Sequence, residues 1–414
     1  MLGVASLALM ACGGSGELIG GAEQTGSTTK EAEPSGPVEV VTGQVPADAA
    51  KQMAALAEPL FPLAVEAGDE SANPAYSPLS VYLALAMTAN GASGVSADQF
   101  AALLGGSPDQ VNALAAGIMT EYITTGEGPI LSLANSLWLD DSFTVNPDFE
   151  QQTRAIFRAE VATLDLQTEG KERINQWVDQ KTNNLIDQII ERVSEYAVAF
   201  LVNALYFKGE WATQFEDYAT SNSSFTLADG TDVSVPTMYA DDLYVPYFNS
   251  EIGEGIVLPY VGDRFGMLLV MPADGVDQVT WDGNQLATWL AAGEQFGGID
   301  LYLPKWESEF SVTLNQPLKD LGLVAPFGIG GDLAGIGTAA AGAGLAISQV
   351  AHKTVVKVDE AGTEAAAVTS VGIDAMSAPL EPVIVRFDRP FVYAIVDLDT
   401  GVPLFLGQVN NPAA

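Results

Sequence analysis

The chain is predicted to form one large α+β domain, and three observations carry that reading. Segments of strand-forming residues and segments of helical spacing follow one another without strict alternation. No internal repeat and no second low-complexity linker breaks residues 47–414. The chain has 414 residues and is 48% hydrophobic, enough to bury a large core.

The elements follow in order. Residues 49–63 have helical spacing, which Pro59 and Pro62 must end or bend. Ser77-Pro78 opens a helix with serine as cap and proline in the first turn. Leu79, Tyr82, Leu83, Ala86 and Met87 then recur on one helical face. Ser96-Ala97-Asp98-Gln99 has the pattern of a capping box ahead of Phe100 and Leu103. Residues 169–193 predict one or two helices carrying Ile174, Trp177 and Val178. Residues 130–139, 197–207, 256–261, 266–271 and 299–303 are β-rich, as are 354–358, 383–387, 391–397 and 403–409. Residues 397–401 form the turn of a hairpin. The glycine-rich stretches at 328–331 and 334–345 follow no strand-to-helix phosphate pattern and read as surface loop.

Charge and rare residues exclude several functions. There are 53 acidic residues against 16 basic ones, a net charge of −37. Such a surface repels nucleic acid and anionic lipid. It suits high salt, where screening quiets self-repulsion, and it equally fits an acidic secreted protein. Cys12 is the only cysteine and His352 the only histidine. No disulfide can form within one chain, and a zinc site of several His or Cys ligands is impossible. A Ser-His-Asp triad would have to use His352. Asp241 and Asp242, Asp397 and Asp399, and Glu169 and Glu172 read as solvated charges without metal-loop spacing. No metal or other cofactor is expected.

Residues 1–12 read as an address. Leu2 to Met10 is an apolar run too short to span a bilayer. It leads into Leu9-Met10-Ala11-Cys12 and a glycine-rich stretch. This resembles the lipobox of bacterial lipoproteins, which implies cleavage before Cys12 and lipidation of its thiol. A plain signal peptide with an incidental cysteine is the alternative, and no Lys or Arg precedes Lys30. Residues 13–46, rich in Gly, Ser, Thr, Glu and Pro, read as a flexible tether to a domain at 47–414. The implied location is the cell envelope or cell surface, or the exterior if the chain is only secreted.

Four motifs in the body resemble one family. They are Asn203-Ala204-Leu205-Tyr206-Phe207-Lys208-Gly209-Glu210-Trp211, residues 73–92 with Ser77-Pro78-Leu79-Ser80, His352-Lys353 through Glu360-Ala361-Gly362-Thr363-Glu364-Ala365-Ala366-Ala367, and Arg386-Phe387-Asp388-Arg389-Pro390-Phe391. In this order they resemble the serpins, over about residue 48 to the end. The resemblance implies three β-sheets, eight or nine helices and an exposed reactive loop. It implies a suicide mechanism: a serine protease cuts the loop, and the acyl-enzyme is trapped as the loop inserts into the central sheet. It places the scissile bond at Met376-Ser377. It gives Ser77, Ser80, Asn203 and His352 a structural role beneath the sheet, with His352 bonded to Asn203, and sets Trp211 where the loop begins to insert.

The loop residues can be tested against strand physics. Residues 363–376 contain no proline. Side chains alternate between faces in a strand, and a glutamate cannot face the core. Glu364, Ala366, Val368, Ser370, Gly372 and Asp374 therefore take the outward parity. Thr363, Ala365, Ala367, Thr369, Val371 and Ile373 take the inward one, uncharged and small near the hinge. Gly362 supplies backbone freedom there. The stretch from Thr363 to Met376 would span about 46 Å as a strand. Met376 suits an apolar primary pocket of chymotrypsin, elastase or subtilisin type, and no basic residue lies between Lys357 and Arg386 for a trypsin-like one. The expected protein is a monomeric inhibitor rather than an enzyme. The alternative is a non-inhibitory surface lipoprotein of the same fold.

Overall fold

The computed structural model describes residues 2–12, 38–69, 71–122, 128–251, 253–273, 276, 279–281, 285–328, 330, 332–339, 344–363 and 382–414. Among them are nine α-helices and three sheets of seven, nine and two strands.

The seven-stranded sheet carries the site, and its strands are numbered here in chain order. They are β1 (Leu2–Cys12), β2 (Ile130–Asp140), β3 (Glu160–Leu164), β4 (Ala197–Glu210), β5 (Trp306–Thr313), β6 (Gly344–Val358) and β7 (Gly362–Thr363). In space the order is β5, β6, then β7 and β1 end to end, then β4, β2 and β3. Only β2 and β3 run parallel. The nine-stranded sheet ends in the hairpin Phe391–Asp397 and Pro403–Val409.

The central sheet is buried on both faces. On one side β4 and β6 contribute Leu201, Leu205, Phe207, Val350 and Val356 to the main core. Helix α1 (Pro78–Ala89) packs into that core with almost every side chain buried. On the other side Phe200, Val202, Ala204, Tyr206, Ala351 and Val355 meet Ile174, Trp177 and Val178 of helix α2 (Lys171–Lys181). A strand covered on both faces reads as a continuous apolar run, which is how β4 is composed.

Several expectations require correction. The first helix is two, Ala49–Met53 and Ala57–Ala67, and Pro62 is tolerated inside the second. Ser96 is not the N-cap: its helix is Gly94–Leu103 with Ser93 at that position, so Ser96 lies inside and is buried. The 169–193 segment holds one α-helix, α2, entered from a π-helical turn at Leu166–Gly170, and it stops short of 193 because Asn183 and Asn184 adopt positive φ just beyond its end. Strand β6 begins at Gly344, ten residues earlier than its most β-rich stretch. The tether shortens, since Val41 N–H donates to Ala155 O and Val45 N–H to Glu121 Oε1; residues 13–37 lie outside the described residues. Within 334–345, Ile336 is fully buried rather than on a surface loop. Asp397 is fully buried and paired with Arg264 at 3.0 Å.

The largest difference concerns residues 2–12. Expected outside the folded body, Leu2–Cys12 is a strand paired antiparallel to β6 and to β4. An uncharged, proline-free apolar run can satisfy both backbone edges there without desolvating a charge.

Candidate functional site: the hinge between strands β4 and β6

The site begins where β6 turns back on itself. Asp359 ends the strand and caps the turn, its Oδ1 accepting from Ala361 N–H at 3.0 Å and Gly362 N–H at 3.2 Å. Burial pushes the Asp359 carboxyl up, an effect those two amides only partly offset. Glu360 points the other way into a small polar nest. It accepts from Thr220 Oγ1 at 2.7 Å and from Lys305 Nζ at 2.6 Å. Burial works to raise its pKa, but the bonds from Lys305 and Thr220 outweigh it and hold the carboxyl below the usual glutamate range.

Gly362 has φ +152°, and a Cβ there would run into the backbone carbonyl of Gly209. Glycine is required because the hinge must lie flat against β4. Gly362 pairs with Glu210, and Thr363 pairs with Gly209 on one side and Val358 on the other. Thr363 is fully buried, its hydroxyl 2.7 Å from Tyr260 OH. Trp211 stacks on Tyr260, with ring centres 4.7 Å apart and planes 9° apart. Its Nε1 donates to Asp359 O at 3.0 Å and its backbone N–H to Ala361 O at 3.1 Å. Trp211 and Tyr260 thus hold both sides of the turn and seat Thr363 between β4 and β6. Tyr260, Thr220 and Lys305 were not singled out from sequence, because nothing local marks them; only the fold brings them to Glu360 and Thr363.

The other predicted residues divide. His352 is buried, and its Nε2 accepts from Ser77 backbone N–H at 3.0 Å. Ser77 Oγ donates to Leu404 O and accepts from Ser80 N–H as helix cap. The expected bond between His352 and Asn203 is replaced: Asn203 donates to Asn135 Oδ1 at 2.9 Å. Both residues pair with Ala5 of β1, from opposite edges. Two strand spacings, about 10 Å, therefore separate their backbones. Glu364, Ala365, Ala366, Ala367, Thr369, Met376 and Ser377 lie outside the described residues.

The central sheet thus holds Gly362 and Thr363 as the first residues of a further strand. Residues 52–412 match the family described as Serpin (serine protease inhibitor). An uncharacterized serpin-like protein of Thermococcus kodakarensis is 32% identical over 370 residues, covering 85% of this chain and 84% of that one. Serpin-ZX of Hordeum vulgare is 35% identical, over 83% of this chain and 91% of its own. Among solved structures, the thermophilic serpin Tengpin in its native state superposes with a TM-score of 0.80 at 30% identity, covering 90% of this chain and 96% of Tengpin. The chain belongs to the serpin family. Members of that family are mainly serine protease inhibitors rather than catalysts.

Proposed function

We propose that this chain inhibits serine endopeptidases of apolar primary specificity by suicide cleavage at Met376-Ser377. The observation that carries the reading is the seated hinge: Thr363 already pairs with both β4 and β6, and Gly362 with β4. Continuing that ladder by one residue would bring Glu364 level with Lys357 and Lys208, so its charge is matched on both sides. Ala366 would follow opposite Val355 and Tyr206, and Val368 opposite Lys353 and Ala204. Val355, Tyr206 and Ala204 belong to the layer under α2. The outward parity is therefore suited to solvent only at Glu364; further down it needs small or apolar residues, a need that Ala366, Val368, Ser370 and Gly372 meet and Asp374, the last of that parity, does not.

The mechanism follows from this geometry. A protease serine attacks the Met376 carbonyl and forms an acyl-enzyme, releasing the Ser377 amine. The freed strand then adds along β4 and β6, gaining backbone hydrogen bonds on both edges. The acylated protease is carried with it before water can hydrolyse the ester. His352 serves the sheet as a buried acceptor and takes no part in the chemistry. Lipidation at Cys12 would hold the inhibitor at the cell envelope as a monomer. A non-inhibitory binding lipoprotein is the competing reading, and the loop composition disfavours it.

The test is incubation with chymotrypsin-, elastase- and subtilisin-type proteases, with and without residues 1–12. The expected result is an SDS-resistant band of combined mass with at least one of them. Complete loop cleavage by all three with no such band would refute the proposal.

A further inference from the structure

The gap that insertion requires is occupied. Strand β1 runs between β6 and β4, antiparallel to both, in the direction the loop would take. Its register matches that of the hinge at both edges. Thr363 faces Val358, so three residues further on Ala366 would face Val355, and the partner of Val355 is Leu2. Along β4, Thr363 faces Gly209, so Ala366 would face Tyr206, again the partner of Leu2. Val4 stands where Val368 would come, and Ser6 where Ser370 would. The match continues to Ala8 along β6 and to Leu9 along β4, after which the register slips by one residue on each side.

The compositions agree as well. At the parity of Thr363 the loop has Ala367, Thr369, Val371 and Ile373 in order. The matching positions of β1 are Gly3, Ala5, Leu7 and Leu9. Both series begin small near the hinge and become larger and apolar further down. No charge falls anywhere in Leu2–Cys12.

We infer that Leu2–Cys12 is an intramolecular occupant of the insertion slot, so that the chain carrying its leader is a substrate for proteases and becomes an inhibitor only when the leader leaves. The slot is thus a strand-binding site with two ligands from one chain. A seated β1 must break its ladders on both edges before the cut loop can enter. Insertion has to outrun hydrolysis of the acyl-enzyme, and that delay hands the outcome to hydrolysis. Only this consequence rests on the loop-insertion reading; the seating of β1 stands apart from it.

The full chain is compared with its Ala5→Pro/Ser6→Pro variant, which removes two adjacent strand N–H donors. Leu7→Asp serves as a second variant, since it sets a charge at the register position between fully buried Leu201 and Val350. Hydrogen exchange is read at residues 198–206 and 345–355. Losing a paired strand should raise exchange there by about tenfold or more in both variants. A synthetic peptide of the sequence 366–376 should enter the variants, restore their protection, and be refused by the parent chain. The variants should also yield more SDS-resistant complex per cleaved molecule. Unchanged exchange in both variants, or equal peptide uptake by parent and variants, would overturn the inference. If the variants open and take up peptide yet form no complex with any protease, the seating of β1 stands and the inhibitory reading falls.

Discussion

Glu360 shows how a single carboxylate fixes the starting point of the loop. Its bonds to Lys305 and Thr220 tie the turn after β6 to two distant segments. Because its folded pKa is lowered, the stabilisation it supplies is complete above the ordinary glutamate range and is lost as pH falls through the lowered value. Asp359, raised by burial, acts with the opposite sign. Glu360→Gln should therefore melt below the parent at neutral pH, and the gap should close as the pH drops below the usual glutamate range. Thermal melts of both proteins across that range check this; a gap independent of pH would contradict it. The glycine of the hinge was legible beforehand, because the need for backbone freedom at Gly362 is a local signal. The partners of Glu360 were not, since Thr220 and Lys305 carry no mark of their own.

Among the elements, the C-terminal hairpin shows what spacing alone conceals. Asp397 sits at a turn and has the pattern of a solvated charge. Folding buries it completely, where it accepts from Arg264 and from the amides of Asp399 and Thr400. Arg264 keeps Glu121 as a partner, but the amides of Asp399 and Thr400 lose their acceptor, so Asp397→Ala should cost about 2 kcal/mol in denaturant unfolding. A loss within about 0.5 kcal/mol would show the pair to be dispensable. Helix α1 was readable from its Ser77 cap and its apolar spacing. The strand Asp232–Asn249 was not: Pro236 and a positive φ at Asp242 break the alternation that would mark it. Strand β1 was misplaced for a deeper reason. An apolar run of 11 residues looks the same whether a membrane or a sheet receives it, and only its pairing with β4 and β6 distinguishes them.

At the scale of the whole molecule, the central sheet would be the moving part under the proposed mechanism, with the rest as its frame. Both faces of the sheet are packed, one on the main core and one under α2. A strand added at the hinge therefore gains burial on two faces and hydrogen bonds on two edges. The fold class and the family motifs were readable from 414 residues without structure, because they rest on composition and order. The contest between leader and loop for one slot was not, because it is a matter of register. The most direct test of the account is the melting temperature of the Ala5→Pro/Ser6→Pro chain before and after a single cut at Met376-Ser377. The account predicts that the cut protein melts well above the uncut one, with residues 198–206 and 345–355 newly protected. A cut protein that melts at or below the uncut one, with those strands still exchanging, would contradict insertion of the loop.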